Sequence, residues 1–318
     1  MTNNIDVAKA AQILSEKNNI LLLCHKNPDG DTLGSAAGLC HALHIKGKRV
    51  AVLCSDEISP KYDFMQIPLY KGQFEVHFIV SVDVASQQLL GENLEKYAQS
   101  VDLCIDHHGS NSNYAKMLCC FSDMAATAQL MLEIIQAMGC EINKLVANCL
   151  YTGLVTDTGC FKYSSTTPST HIAAAKLMEL GADNVEIVDK FFMSKTRKNI
   201  ALQKYMLNNL EFVFEDKCAI IALTQEILNE VQPSTTDIDG ISAMPRTIEG
   251  VDVAITIRQI GEETFKISIR TSEKADACQI AQGLGGGGHI RAAGCEVMGN
   301  LESVKKAILK EVEHAICK

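Results

Sequence analysis

Short runs of consecutive apolar residues alternate with stretches in which apolar residues recur at helical spacing, and this alternation extends through the first half of the chain. The apolar runs are 20–24, 49–54, 78–82 and 101–105. The stretches with helical spacing are 6–16, 33–45, 125–138 and 142–156. Uninterrupted apolar runs of this length are typical of strands covered on both faces. Strands alternating with helices predict an α/β fold with a doubly wound parallel sheet.

The pattern changes beyond a predicted helix over 168–180. Residues 186–210 are polar and mostly helical, without a strong apolar stripe. The elements predicted after them are strands 217–223, 251–259 and 264–270, with a hairpin between the last two, and helices 277–282 and 303–316. We therefore predict a first domain over 1–185, a helical linker over 186–210, and a smaller α/β domain over 211–318.

One turn in the first domain carries a concentration of polar chemistry. His25, Asp29 and Asp31 lie on a Pro/Gly turn between the predicted strand 20–24 and the helix that follows it. In open α/β sheets ligands bind at the carboxyl ends of strands. Two carboxylates this close repel each other unless a cation lies between them. The turn predicts a divalent metal site, although a solvated loop with a helix cap would look similar in sequence.

Further acidic and imidazole residues follow other predicted strands of the same domain. Asp83 ends the strand 78–82, Asp106, His107 and His108 end the strand 101–105, and Asp157 follows the helix 142–156. A lone aspartate at a strand end is usually a cap or a turn residue. A parallel sheet, however, would bring these strand ends to one crevice. Converging Asp and His in this number predict a two-metal site of the kind that promotes displacement at phosphorus.

The composition restricts the class of protein. The chain is 47% hydrophobic and 21% charged, as expected of a soluble globular protein. It has no apolar run that could span a bilayer, and its first residues do not resemble a signal peptide. The 13 cysteines are odd in number, lie in apolar contexts and form no CxxC pair. They predict reduced core thiols and a cytoplasmic location.

The net charge of −9 argues against a protein that coats long nucleic acid, since such binding relies on a basic surface. It leaves room for a small anionic substrate at one local site. No membrane partner is expected, and the sequence does not decide whether the chain forms a homodimer.

A run of glycines near the end of the chain is a second candidate for anion binding. Gly286, Gly287 and Gly288 precede His289, and consecutive glycines let backbone N–H groups approach an anion closely. A flexible hinge would have a similar sequence, but His289 and the nearby Arg291 supply donors that a hinge does not need. We therefore favour phosphate or nucleotide binding.

These motifs together resemble a known family. Asn-Pro-Asp-Gly-Asp at 27–31, Val-Asp at 82–83, Asp-His-His at 106–108 and Thr-Asp-Thr-Gly at 156–159 resemble the four motifs of the DHH phosphoesterases. Gly-Gly-Gly-His at 286–289 with Ala-Ala-Gly at 292–294 resembles the DHHA1 substrate domain. The resemblance extends from about Ile20 to Val297, nearly the whole chain.

The resemblance implies roles for individual residues. It places His25, Asp29 and Asp83 on one manganese ion, and Asp31, Asp83, His107 and Asp157 on a second, with Asp83 as the bridge. Mg²⁺ or Co²⁺ are the alternative ions.

The resemblance also implies residues that act on the substrate. His108 would stabilise charge on the scissile phosphate, and Asp106 would orient an imidazole unless it merely caps the strand end. Arg270, which ends a predicted strand, resembles the family's substrate arginine, whose planar fork suits phosphate. Arg246 is a weaker candidate, for which a surface role is equally compatible.

The resemblance also implies an activity. A two-domain chain of this length resembles the branch that degrades very short oligoribonucleotides, about two to five nucleotides long, and dephosphorylates 3′-phosphoadenosine 5′-phosphate (pAp) to AMP. The alternatives are a phosphodiesterase for linear dinucleotides such as pApA or pGpG, and a nucleotide-sensing protein that has kept the fold. Inorganic pyrophosphatases are disfavoured by the Gly-Gly-Gly-His segment, and exonucleases for long strands by the acidity.

Overall fold

The computed structural model describes residues 2–238 and 241–316, and the chain divides into two compact units. The first unit extends to Ser194, and the second begins at Lys195. This boundary falls inside the segment predicted as a linker, 186–210, which is therefore shared between the two units. Each unit has its own sheet and its own hydrophobic core.

The first unit is built on six strands whose neighbours all run parallel. The strands are β1 (Asn3–Asn4), β2 (Ile20–Leu23), β3 (Val50–Leu53), β4 (Phe78–Val82), β5 (Leu103–Asp106) and β6 (Met117–Cys120). Their order in the sheet is β1-β6-β5-β4-β2-β3, so the direction of winding reverses between β2 and β4. The predicted doubly wound parallel sheet is confirmed. The short strands β1 and β6 were not predicted. Strand β1 has two polar residues and no apolar signal, whereas β6 lies in the apolar run 117–121, which was not assigned to a strand.

Helices cover both faces of this sheet. They are α1 (Val7–Glu16), α2 (Gly30–Ile45), α3 (Glu95–Ala98), α4 (Thr127–Ala137), α5 (Lys144–Asp157), α6 (Pro168–Glu179) and α7 (Asn184–Val188). Alternate residues of β2 enter different cores: Ile20 and Leu22 pack with α1, α2, α4 and α5, whereas Leu21 and Leu23 pack with the segment around α3. The predicted helices of this unit are confirmed to within a few residues at their ends.

Helix α2 crosses α5 at very short range because glycines line its contacting side. Gly30, Gly34 and Gly38 recur every four residues and so share one face of α2. A Cβ atom on Gly34 would lie 2.3 Å from the carbonyl oxygen of Cys149, and one on Gly30 would lie 2.3 Å from Oγ1 of Thr156. The two helices are therefore packed almost backbone to backbone.

The second unit has a mixed sheet. Its strands are β7 (Glu211–Val213), β8 (Cys218–Leu223), β9 (Val253–Gln259), β10 (Thr264–Thr271), β11 (Gly287–His289) and β12 (Ala292–Met298), in the order β11-β12-β10-β9-β8-β7. Neighbouring strands are antiparallel except β8 and β9, which are parallel. The predicted hairpin of β9 and β10 is confirmed. Strands β7, β11 and β12 were not predicted, and β11 is formed by the glycine run itself.

Within residues 195–238 and 241–316, five helices accompany this sheet: α8 (Arg197–Asn209), α9 (Gln225–Val231), α10 (Thr235–Ile238), α11 (Ala277–Gln282) and α12 (Leu301–Ile316). Helix α8 lies within the segment predicted as a linker, yet Leu202 and Met206 are fully buried against Ile221 and Leu223 of β8. Leu202 and Met206, one helical turn apart, together with the partly buried Tyr205, attach this helix to the sheet. Within residues 2–238 and 241–316, no helix combines the length and apolar character needed to cross a bilayer.

The glycine contact predicts an unusual stability effect. Replacing a glycine by alanine inside a helix usually stabilises it by about 0.5–1 kcal/mol. Gly34→Ala should instead destabilise the protein by about 1–3 kcal/mol, because the new methyl group meets a backbone carbonyl that cannot move aside. Gly38→Ala is the matched control, since its Cβ would meet the movable side chain of Leu150 at 2.8 Å. Thermal unfolding should show a larger loss for Gly34→Ala, and an unchanged or raised Tm for that variant would contradict this account.

Candidate functional site

Three neighbouring strands of the first sheet end in acidic or imidazole residues. Asp83 directly follows β4, His107 and His108 directly follow β5, and His25 lies two residues beyond β2. These strands lie side by side in the order β5-β4-β2, and the sheet reverses its winding between β4 and β2. Ligands in open parallel sheets bind at this kind of reversal. The structure therefore brings these four residues to one crevice.

Two helices add the remaining carboxylates. Asp29 is the N-cap of α2, where its Oδ1 accepts hydrogen bonds from the backbone N–H groups of Asp31 and Thr32, at 3.0 and 3.2 Å. Asp31 lies in the first turn of α2, and Asp157 is the last residue of α5. The close crossing of α2 and α5 places Asp157 in the same cluster as Asp31.

His25 is oriented so that one ring nitrogen faces carboxylates. Its Nδ1 lies 2.8 Å from the carbonyl oxygen of Lys26, which can only accept, so Nδ1 carries a proton. Its Nε2 lies 3.5 Å from Oδ1 of Asp29 and 3.7 Å from Oδ2 of Asp83. Burial lowers the pKa of His25, but the neighbouring Asp29 outweighs burial and raises that pKa to about 9. The site thus stabilises a positive charge at Nε2.

Asp31 is held by the start of α4, a contact that the sequence did not reveal. The backbone N–H groups of Thr127 and Ala128 donate to its two carboxylate oxygens at 2.7 and 2.8 Å. The hydroxyl of Thr127 donates to Oδ1 of Asp83 at 2.8 Å. Thr127 therefore positions two carboxylates at once. The only sequence signal for it was its place near the start of a predicted helix.

His107 has a buried nitrogen without a hydrogen-bond partner. Its Nδ1 lies 3.1 Å from the carbonyl oxygen of Met124, which again places the proton on Nδ1. Its Nε2 is buried and forms no hydrogen bond. That Nε2 lies 3.4 Å from Oδ2 of Asp157, 3.8 Å from Oδ1 of Asp83 and 4.0 Å from Oδ2 of Asp31. A lone pair facing three carboxylates is the arrangement expected of a metal ligand.

The carboxylates of the cluster destabilise one another. Burial raises the pKa of Asp83 well above its usual range, and the negative charges of Asp31 and Asp29 raise it further. Burial likewise raises the pKa of Asp31, with the charge of Asp157 as the next cause. The pKa of Asp157 is raised by burial as well. Cations among these oxygens would offset both the burial and the repulsion.

The donor atoms fit divalent cations. The described part of the chain contains three groups of potential ligand residues. Within each group, the ligand atoms all lie within 4.8 Å of one another. The groups are His25, Asp29 and Asp83; Asp31, His107 and Asp157; and Asp83, His107 and His108. Carboxylate oxygens with imidazole nitrogens suit ions such as Mn²⁺. The unpartnered Nε2 of His107 and the mutually repelling carboxylates both fit bound metal.

Asp106 orients His108 and does not face the cluster. Its fully buried carboxylate accepts hydrogen bonds from Nδ1 of His108 at 2.8 Å, from the backbone N–H of His107 at 2.8 Å, and from Nδ2 of Asn111 at 2.6 Å. Burial raises the pKa of Asp106, but the hydrogen bonds from His108 and Asn111 and the charge of His108 together outweigh burial and lower that pKa. The hydrogen bond to Asp106 raises the pKa of His108. The side chain of His108 remains 42% exposed, so it is open to a ligand.

The backbone at Asp83 is held in an uncommon conformation. Its φ is 61°, in the left-handed region that few residues other than glycine adopt. Its N–H donates to the carbonyl oxygen of Ile105 at 2.9 Å, which fixes the end of β4 against β5. Aspartate tolerates this conformation better than most residues, and the hydrogen bond to Ile105 fixes its position at the crevice.

Two candidate residues of the second unit lie on its sheet, His289 on the edge strand β11 and Arg270 on the inner strand β10. Arg270 of β10 pairs with Ala292 of β12, which in turn pairs with His289 of β11. Directly paired residues point to the same face of a sheet. Arg270 and His289 therefore share one face, about 10 Å apart across two strand spacings. Arg246 is half-buried in a 3₁₀ turn over 241–247.

Gly286, Gly287 and Gly288 differ in whether their surroundings leave room for a side chain. A Cβ atom on Gly286 would lie 2.3 Å from the carbonyl oxygen of Gly294, and one on Gly288 would lie 2.6 Å from that of Ala292. Packing alone explains these two glycines. A Cβ atom on Gly287 would meet nothing within 4 Å, so its missing side chain leaves open space above the backbone.

Arg291, which the sequence suggested as a further donor, has a structural task. One guanidinium nitrogen donates to the backbone carbonyl oxygens of Ser272 and Ala275, the latter at 2.7 Å. It therefore secures the segment between β10 and α11.

Comparison with known proteins agrees with the motifs. The DHH family, N-terminal domain, matches residues 19–154, and the DHHA1 domain matches residues 221–318. A bifunctional oligoribonuclease and PAP phosphatase NrnA from Thermus thermophilus is 29% identical over 93% of this chain and 90% of its own length. A protein of the same name from Bacillus subtilis is 22% identical, over 89% of this chain and 91% of its own length.

A solved structure shows the same fold. An exopolyphosphatase-related protein from Bacteroides fragilis superposes with a TM-score of 0.88 at 26% identity, covering 97% of this chain and 96% of that one. The family matches extend over both units and include every residue of the acidic and imidazole cluster except Asp157, which lies just beyond the first matched range. The chain belongs to the DHH phosphoesterase family with a DHHA1 domain, and it is a hydrolase that acts on phosphoester bonds.

Proposed function

We propose that this chain hydrolyses very short oligoribonucleotides to mononucleotides and removes the 3′-phosphate of pAp to give AMP. The observation that carries the hydrolytic part is the buried, unpartnered Nε2 of His107 among the carboxylates of Asp31, Asp83 and Asp157. The substrates are inferred from the names of the relatives from Thermus thermophilus and Bacillus subtilis, both of which align over most of their lengths.

Two metal ions would share the cluster. His25, Asp29 and Asp83 would hold one, and Asp31, His107 and Asp157 the other, with Asp83 between them. Mn²⁺ suits this mixture of carboxylate and imidazole best, and Mg²⁺ or Co²⁺ are alternatives. When bound, such a pair supplies a deprotonated water at neutral pH and neutralises charge on the phosphate.

His108 would act directly on the phosphate. Its raised pKa keeps more of its imidazole protonated, and its Nδ1 is already engaged by Asp106, so Nε2 is the nitrogen that can donate to a phosphoryl oxygen. Asp106 is a positioning residue, because its contact with His108 fixes the ring. The buried Asn111 contact holds Asp106 in turn.

The second unit would bind the end of the substrate. Arg270 and His289 share one face of its sheet, and the open space above Gly287 lets an anion approach backbone N–H groups there. These groups would recognise one terminal phosphate or nucleotide. Arg246 would be an additional contact to the substrate, and its half-buried position is compatible with that role.

The chain's activity as a hydrolase disfavours the nucleotide-sensing alternative. A phosphodiesterase specific for linear dinucleotides such as pApA or pGpG is the remaining alternative, and turnover of pAp separates the two. The absence of disulfides among the described cysteines suits a cytoplasmic location, which stays a proposal, as does a homodimer.

Metal dependence is the first expected property. Asp83→Asn should lower kcat by at least about a thousandfold, because the amide loses the charge that would bridge the ions yet can still accept the hydrogen bond from Thr127. Titration calorimetry with Mn²⁺ should show about two ions per chain in the wild type and fewer in the variant. Asp123→Asn removes an exposed carboxylate of the same unit and is the control. Near-normal turnover by Asp83→Asn, or by wild type in excess chelator, would refute the metal assignment.

The contact between Asp106 and His108 predicts a selective kinetic effect. Asp106→Asn should lower kcat on pAp by about ten- to a hundredfold, as is usual when a residue that orients an active-site imidazole is lost. KM should change little, since Asp106 does not reach the substrate. An unaltered Tm would show that the fold is intact. A rise in KM with an unchanged kcat would contradict the positioning role.

Substrate length tests the proposed function as a whole. With Mn²⁺ present, kcat/KM should be highest for pAp and oligoribonucleotides of a few residues, and should fall steeply towards about twenty nucleotides, because a chain of net charge −9 lacks a basic track for long strands. Pyrophosphate should not be cleaved efficiently.

Arg270→Ala should weaken the short substrates most and flatten this length profile. Arg258→Ala is its matched control. Arg270 pairs with Ala254 of β9, and Arg258 lies four residues further along β9, so both arginines are on the same face of the sheet. If the longest strand is the best substrate of the wild type, the proposed function is wrong.

A further inference from the structure

A small cavity of the first unit joins the metal cluster to an aromatic wall. It measures about 230 Å³, and its lining includes Asp29, Asp157, Lys61, Tyr62, Phe191 and Phe192. Two of the proposed metal ligands therefore form one side of it, and aromatic rings with a lysine form the other. We refer to it as the aromatic cavity.

The rings of this cavity form one cluster. The centroids of Tyr62 and Phe191 lie 5.3 Å apart, within the range of favourable aromatic pairs. Tyr62 is buried and supports the wall, whereas Phe191 and Phe192 are only half-buried. Both phenylalanines lie on a short π-helix, Asp189–Met193, a rare element that is frequent at functional sites. Packing explains Tyr62, but it leaves ring surface of the phenylalanines uncovered.

Lys61 brings a positive charge to the same wall. Its Nζ lies 5.1 Å from the ring centroid of Tyr62 and 5.5 Å from that of Phe191. Among residues 2–238 and 241–316, no carboxylate lies within ion-pair distance of that Nζ. The ammonium group is thus held by aromatic rings rather than neutralised, beside the site where a phosphate would be cleaved.

The opposite side of the cavity is formed by the start of α2 and the end of α5. Gly30 lines it beside Asp29, Thr156 and Asp157, and the close packing of Gly30 against Thr156 holds these two helix ends together. A volume of 230 Å³ is below the roughly 300–1,000 Å³ of pockets for drug-sized ligands, and so suits a fragment such as one nucleobase.

A larger cavity nearby is a poorer candidate. It measures about 810 Å³ and includes Lys26, but its lining also carries the carboxylates of Asp56, Glu92 and Glu95. Three negative groups against one positive group disfavour an anionic nucleotide.

We propose that the aromatic cavity binds the nucleobase of the nucleotide whose phosphate lies at the metal cluster, with Phe191 stacking on the base and Lys61 contacting a phosphate. Aromatic stacking accepts any base, since every base has a π face. The first unit thereby contributes its own nucleotide subsite, separate from the end recognition proposed for the second unit. This inference rests on the proposed function and specifies how that site holds its substrate.

A kinetic experiment on the full chain separates base recognition from chemistry. Phe191→Leu keeps an apolar side chain against the core but removes the ring face. It should raise KM for pApA about tenfold, in keeping with the usual contribution of one base–aromatic stack. It should leave KM for an abasic analogue of the same dinucleotide unchanged. Lys61→Gln should raise KM for both, because its contact is with phosphate.

The control is a similar pair on the opposite face of the sheet. Lys96 lies over Tyr97 at 5.0 Å, and Tyr97 packs in the other core of the first unit. Tyr97→Leu should leave both substrates unaffected. An unchanged KM for pApA in Phe191→Leu overturns the inference while the proposed function stands. An equal loss on the abasic analogue also overturns it, by assigning Phe191 a structural role.

A binding experiment gives a readout independent of turnover. The chain contains no tryptophan, so Phe191→Trp places the single tryptophan in the aromatic cavity, where it can be excited selectively at wavelengths that tyrosine does not absorb. With Mg²⁺ present, AMP should quench its emission in a saturable manner, and ribose 5-phosphate should not. Tyr97→Trp is the control and should respond to neither. Absence of quenching by AMP, or equal quenching in both variants, overturns the inference even if wild-type protein proves to cleave neither pApA nor pAp.

Discussion

The close approach of α2 and α5 is the constraint on which the site depends. The glycines of α2 let the two helices meet with backbone against backbone, so that Gly153 of α5 lies against Asp31 and the end of α5 carries Asp157 to the crevice. Side chains of ordinary size would separate the helices by the thickness of a methyl group or more. Asp157 would then move away from His107. Helix packing in the core therefore sets the geometry of the ligand cluster.

The cluster concentrates negative charge in a place that burial makes costly. Asp31 and Asp83 are almost completely buried. Burial raises the pKa of both, and the charge of Asp31 raises the pKa of Asp83 further. Such an arrangement is stable only because backbone N–H groups, the Thr127 hydroxyl and the imidazoles of His25 and His107 surround it. The hydrogen bonds from α4 fix the positions of these carboxylates, which keeps the reorganisation needed for cation binding small.

The sequence predicted the parallel sheet and the residues at its carboxyl edge because both depend on local patterns. Apolar runs identify β2, β4 and β5, and each residue that follows them is fixed in direction by its strand. The contact between Thr127 and Asp31 was not predictable, since it joins residues 96 positions apart through backbone atoms. The same limit applies to β11, because a run of glycines carries no strand signal, and to Phe191 and Lys61, which meet only in the folded unit.

The hydrogen bonds between Asp31 and the first turn of α4 give Asp31 two separate roles, as a proposed metal ligand and as a cap of a helix. Helix α4 begins after Ala126, whose side chain cannot cap it, and the carboxylate of Asp31 accepts the N–H groups that a cap would otherwise satisfy. The carboxylate of Asp31 therefore also contributes to the stability of α4, independently of any role in hydrolysis. An aspartate at position 31 of a distant homologue is thus a weak indicator of catalysis, because it can be kept for its contact with α4. Asp157 lies at the C-terminal end of α5, where it does not cap a helix N-terminus, and its presence is the better indicator.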